Sequence, residues 1–135
     1  MVKTVHYKRP RKINPVTVSL ALAVSLSGYM AYQYLPMLLR KNEAARIIDE
    51  TSSKFAGRKS RFLASAQRIE QLRKTMHADL VRVGISDPDM ETWIEVDSIH
   101  AIRFGVAYAE TIRWPHDWIE PQLRVFEVER DLELR

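Results

Sequence analysis

Cysteine is absent from all 135 residues. Its absence removes disulfides as a source of stability, and excludes thiolate nucleophiles and cysteine-ligated metals. The phosphate-cradling and nucleophile motifs are missing as well: there is no G-x-G-x-x-G, no P-loop and no G-x-S-x-G. His6, His77, His100 and His116 are scattered, and none stands in an H-x-x-x-H or H-E-x-x-H spacing. Asp87, Asp89 and Glu91 alternate as in a cation loop but lack its glycine and full ligand pattern, so they are expected to cap the next element. His116-Asp117 is the one adjacent pair suited to proton transfer, and neither a nucleophile nor a converging acid lies near it in sequence. The expectation is therefore a non-enzymatic chain, with no catalytic, cofactor-binding or metal-ligating residues and no small-molecule substrate.

Charge is lacking in one long stretch. Val16 to Leu39, VTVSLALAVSLSGYMAYQYLPMLL, contains no ionisable acid or base of the Asp, Glu, Lys or Arg type. As a helix rising about 1.5 Å per residue, it covers a hydrocarbon core roughly 30 Å thick. A helix also satisfies its own backbone hydrogen bonds, as a lipid-crossing segment must. Lys8, Arg9, Arg11 and Lys12 precede the run, and Arg40 and Lys41 follow it. The reading is a basic tail over 1–15, a transmembrane helix over 16–39, and a small domain over 40–135. A signal peptide cleaved at Ser25-Leu26-Ser27 is the competing reading; the apolar run continues past Gly28 through Met30, Leu35 and Leu39, which favours a retained anchor.

Acidic residues are missing from the tail, which carries five Lys/Arg. Residues 40–82 hold eleven Lys/Arg against five Asp/Glu, and residues 83–135 hold five against twelve, so a basic first half precedes an acidic second half. Positive charge is retained on the cytoplasmic side, which sets the amino terminus inside and the domain outside. This corresponds to a bacterial inner membrane with a periplasmic domain, or alternatively to the mitochondrial inner membrane. The tail is also placed to touch anionic lipid headgroups. Nucleic-acid binders concentrate positive charge on the folded reading surface, whereas here the strand-rich half is acidic, so nucleic acid is not expected as a partner.

Within the span, Ala21, Ser25, Gly28 and Tyr32 share a face at helical spacing, where small residues admit a second helix. Tyr29, Tyr32 and Tyr34 fall towards the far interface, and Pro36 is expected to bend or loosen the last turn. Beyond it, Asn42 to Phe55 reads as a short helix, weakened at Thr51, Ser52 and Ser53 and ended at Gly57. Phe62, Ala66, Ile69, Leu72, Met76, Leu80 and Val83 then step by three and four. They predict one amphipathic helix over about 59–83, with Ser60 as N-cap and Gly84 as stop. Alternation predicts strands over about 93–97, 99–112 and 122–134. In the last of these, Leu123 and Val125 are out of phase and suggest a bulge or a switch of face. The fold class is α+β, with a helix laid on a small antiparallel sheet.

Between the two long strands, Trp114, Pro115 and Trp118 stand in a connector too long for a tight hairpin. Two readings are open for them: closing the end of the sheet, or contacting a partner or the membrane. The acidic row Glu127, Glu129, Asp131 and Glu133 suits a solvated edge, and also a neighbouring copy's basic helix.

The order of basic tail, span, basic amphipathic helix, strands through Tyr108-Ala109-Glu110-Thr111-Ile112-Arg113-Trp114-Pro115 and an acidic last strand resembles a class of uncharacterised bacterial single-pass inner-membrane proteins with a small extracytoplasmic domain. A hydrophobic helix feeding a helix-on-sheet domain is also similar in architecture to type IV pilins and pseudopilins. This chain departs from them at the processing motif: Pro15-Val16-Thr17 opens the run and no acid follows. The resemblance implies membrane lipid and other envelope proteins as partners, a homo-oligomer among them. The expected role is a structural or interaction protein, with a single-span accessory subunit of a respiratory or ATP-synthase type complex as the alternative.

Overall fold

The computed structural model describes residues 2–3, 13–98 and 100–133. Its elements are α1 (Pro15–Gly57), α2 (Lys59–Leu63), α3 (Ala66–Arg82), β1 (Glu91–Ser98), β2 (Ala101–Ile112) and β3 (Gln122–Glu133), with a 3-10 turn at Pro115–Asp117. The chain divides between Tyr34 and Leu35 into two units.

The first unit is the amino-terminal part of α1. Pro15 opens the helix, where its fixed φ is favourable and its missing N–H costs nothing. Asn14 caps it: the Val16 N–H donates to Asn14 Oδ1 at 3.1 Å and the Val18 N–H to the Asn14 carbonyl at 3.1 Å. Ser27 Oγ donates to the Ala23 carbonyl at 2.8 Å, and Gln33 Nε2 to the Tyr29 hydroxyl at 2.9 Å. Val16, Leu20, Leu22, Val24 and Leu26 are exposed. By length and composition this is a helix able to cross a membrane, and none of its most apolar window is buried within the chain.

The second unit, from Leu35 on, is an α+β domain. The short helix expected over Asn42 to Phe55 is not separate: α1 runs without interruption through Pro36 to Gly57. Proline removes one backbone hydrogen bond, but Ala44, Ile47, Ile48 and Phe55 are buried in the core and hold the helix together. The Ser/Thr run does not break it either, because Thr51 Oγ1 donates to the Ile47 carbonyl at 2.8 Å and Ser52 Oγ and Ser53 Oγ donate to the Asp49 carbonyl at 2.8 and 2.9 Å.

The single helix expected over 59–83 is two. Ser60 lies inside α2 rather than capping it; α3 starts after Ser65, whose backbone is extended and whose side chain makes no capping bond. The end of α3 follows expectation. Gly84 has φ 102°, its N–H donates to the Val81 carbonyl at 3.1 Å, and the Ile85 N–H donates to the Leu80 carbonyl at 3.4 Å. That is a Schellman closure, with Ile85 and Leu80 both buried.

The sheet is an antiparallel meander in the order β1-β2-β3. Strand parity divides it into two faces. Ile102, Phe104, Val106 and Tyr108 of β2, with Ile94 of β1 and Phe126, Val128 and Leu132 of β3, pack with Met76 and Leu80 of α3 and the buried residues of α1 in one cluster. Arg73 Nη1 ties α3 to β1 through Thr92 Oγ1 at 3.1 Å. The β2–β3 register runs unbroken from Ala101↔Glu133 to Ile112↔Gln122, so the bulge expected near Leu123 and Val125 is not there. The irregularity lies instead between Val96 and Ser98. Because the ladder stays regular, Leu123 and Val125 keep their parity and point away from the core, 67% and 70% exposed. Leu134 lies outside the described residues.

Candidate interaction site

Three arrangements in the domain carry chemistry suited to binding or positioning. The first joins α1 to β2. Arg40 Nε donates to Glu110 Oε1 at 2.6 Å and Arg40 Nη2 to Glu110 Oε2 at 3.0 Å, a two-pronged pair with side chains 33% and 12% exposed. Hydrogen bonding to Glu110 raises the Arg40 guanidinium above its ordinary value, against a partial opposing effect of burial. Tyr108, on the same face of β2, is buried with its ring stacked on Phe126 at 5.5 Å. Its hydroxyl makes no hydrogen bond among the described residues. Burial pushes the phenol up to about 12, with the nearby Glu110 charge adding to the effect and Arg40 opposing it.

An unfolded tyrosine ionises near pH 10, while folded Tyr108 keeps its proton to about 12, so its contribution to stability is intact below pH 10 and is lost as pH rises from about 10 to about 12. Tyr108→Phe should flatten this part of the stability curve in thermal unfolding. At neutral pH it should leave the protein as stable or about 1 kcal/mol more stable, because an unsatisfied buried hydroxyl is removed.

The second arrangement is an open basic groove of about 440 Å³ where α1, α2 and α3 meet, lined by Ser53, Lys54, Gly57, Arg58, Phe62 and Leu72. A neighbouring groove of about 310 Å³ shares Arg58, Phe62 and Leu72 and adds Arg61, Arg68, Gln71 and Thr75. Phe62 and Leu72 form an apolar floor continuous with the core. The ion pairs among the described residues involve Arg40, Arg46, Arg73, Arg82, Arg103 and Arg130, so Lys54, Arg58, Arg61 and Arg68 present uncompensated positive charge.

The third is the outer face of the sheet. Gly105 sits at its centre under the Trp93 indole; a Cβ at residue 105 would lie 2.3 Å from Trp93 Cε2 and Cζ2, so only glycine admits the ring there. Along β3 the exposed Glu127, Glu129, Asp131 and Glu133 face the same way as Leu123 and Val125. Across the sheet stand Glu95 and Asp97 of β1, the latter paired with Arg103 at 2.8 Å. The pairing holds the Arg103 guanidinium above its ordinary value.

The residues singled out from sequence fall in both units. Ala21, Ser25, Gly28 and Tyr32 are exposed on the amino-terminal unit, and a Cβ at Gly28 would meet nothing within 4 Å. In the connector, Trp114 is half-buried, while Pro115 and Trp118 are exposed, Trp118 at 81%. His116, at φ 61°, lies beside the Trp118 ring at 5.8 Å. The side chain of Asp117 lies outside the described residues. Asp87 bonds within its own turn and to β2 rather than capping the next element, β1: its Oδ1 accepts from the Asp89 N–H at 3.0 Å, and its Oδ2 accepts from the Ala109 N–H at 2.7 Å. The latter bond extends the β2 ladder beyond the last β1 pair, Glu91↔Ala107. No group of His, Asp and Glu suited to holding a metal occurs among the described residues.

The grooves and the Arg40–Glu110 pair were not apparent from sequence. The grooves had a signal in the density of Lys and Arg over 54–68, but the turn that gathers them depends on the break at Ala64-Ser65. No family model matches the chain, and no curated protein or solved structure matches it either.

Proposed function

We propose that this is a non-enzymatic, single-pass membrane protein that presents its α+β domain outside the membrane for assembly with other envelope proteins. The carrying observation is the apolar first part of α1, whose large side chains are exposed in an unbroken belt. A soluble domain's core helix would bury them, and water disfavours such a belt by roughly 25 cal/mol per Å² of apolar surface. Lipid removes that cost. The basic tail supports an amino terminus on the cytoplasmic side of a bacterial inner membrane. The open grooves and the uncovered outer sheet face support a binding role over catalysis.

The test is gentle detergent extraction of the full-length chain, followed by sizing and mass spectrometry of what accompanies it. Recovery with itself or with other envelope proteins is expected; a chain found in the soluble fraction, or a monomer with no companion at any concentration, contradicts the reading.

A second reading, an accessory subunit of a large membrane complex, is favoured by the open space at Gly28. A Cβ at residue 28 meets nothing within 4 Å, so release of Gly28→Leu from a stoichiometric complex, with the variant's helicity unchanged by circular dichroism, would report a partner helix rather than misfolding. A variant retained in full would remove this reading.

A further inference from the structure

We infer that the domain's partner is a second copy of the same chain, joined head to tail, with the basic groove of one copy seated on the acidic outer sheet face of the next. The inference rests on the membrane-anchored reading above and names the partner within it. Its first support is that the two surfaces are opposite in charge and lie on opposite sides of the domain. The helices cover one face of the sheet, and Glu127, Glu129, Asp131 and Glu133 project from the other. Lys54, Arg58, Arg61 and Arg68 stand on the helical layer, outside the ion pairs among the described residues. Such a pair of unlike surfaces makes a heterologous contact, which propagates into rows or closes into a ring.

The second support is the level of the two surfaces along α1. Three contacts fix how β2 and β3 run beside α1: Arg40 with Glu110, Asp49 with Arg130 at 3.3 Å, and the Phe55 ring with Phe104 at 5.7 Å. From Arg40 to Phe55 the helix rises roughly 22 Å, and from Glu110 to Phe104 the strand covers roughly 20 Å, so helix and strands run alongside each other. Glu129 pairs with Gly105 and Asp131 with Arg103, which puts these acids level with the end of α1, where Lys54 and Arg58 lie. Within the domain, then, the acids of one surface and the bases of the other lie at the same level along α1.

The test uses the full-length chain in detergent micelles, sized by light scattering or sedimentation across a concentration series. Wild type is expected to associate at about 0.1 M salt and to dissociate at about 1 M, where screening falls from roughly 10 Å to roughly 3 Å. Arg58→Glu with Arg61→Glu, and separately Glu129→Lys with Asp131→Lys, should each weaken self-association by about tenfold or more, since like charges then face each other. Mixing the two variants should restore association, because each then offers a matched surface to the other; restoration also shows that both are folded. If the reversals leave the size unchanged, or mixing restores nothing, the head-to-tail contact is wrong. In that case association of wild type that persists at high salt, or companions found by mass spectrometry, would leave the broader assembly reading standing.

Discussion

Phe55→Ala is expected to cost about 3–5 kcal/mol, the range for emptying a fully buried aromatic site. Phe55 has no exposed surface and joins three elements: its ring stacks on Phe62 of α2 at 5.1 Å and meets Phe104 of β2 edge-on at 5.7 Å. Neither neighbour can fill the gap easily, since Phe104 is fixed in the central strand and Phe62 lies just after the turn at Arg58. A domain of this size holds about 5–15 kcal/mol in all, so one substitution removes a large share. Leu123→Ala is the matched control, because Leu123 is a large apolar residue on the open face; it should cost no more than about 0.5 kcal/mol. Urea unfolding of the full-length chain in detergent, followed by circular dichroism, separates the two. Equal costs would mean that the last turns of α1 are not part of the core.

Arg40→Ala should cost about 2 kcal/mol, between the small value of an exposed pair and the 3–5 kcal/mol of a fully buried one. Most of the loss comes from Glu110, the more buried partner, left without the guanidinium that takes both its oxygens. Arg40→Lys should recover little, because an ammonium cannot make the two-pronged contact. Glu110→Gln should be milder, since an amide tolerates burial without a counter-charge. Thermal unfolding at constant pH ranks the three; if the lysine variant matches wild type, charge alone suffices and the geometry of the pair is irrelevant.

The helical and strand periodicities were legible because each element buries one face. The stripe from Phe62 to Val83 and the alternation in β2 and β3 gave the layers, and Gly84 gave its own closure. What could not be read was where neighbouring elements join or part. Pro36 suggests a loosened last turn and the Ser/Thr run a weakened, separate short helix, yet packing of Ala44, Ile47, Ile48 and Phe55 carries α1 through both to Gly57. The break at Ala64-Ser65 has no glycine or proline to announce it, and arises within an apolar stripe that seemed continuous.

The binding surfaces were half legible. The acidic alternation of β3 is plain, and the phase error at Leu123 and Val125 is visible; it suggests a bulge or a switch of face, whereas the ladder stays regular and both apolar side chains are exposed. The Arg40–Glu110 pair is separated by seventy positions, and long-range partners of that kind leave no local pattern.

The central claim is a membrane-crossing α1 with its domain on the far side. The absence of native cysteine makes the direct measurement clean: single cysteines introduced at Lys3 and at Ser86, each tested in intact cells with a membrane-impermeant maleimide. Labelling at position 86 but not at position 3, with position 3 becoming reactive once the membrane is opened, is the result predicted here. Protection of position 86 with labelling at position 3 would invert the topology, and protection of both until lysis would place the domain in the cytoplasm and contradict the account.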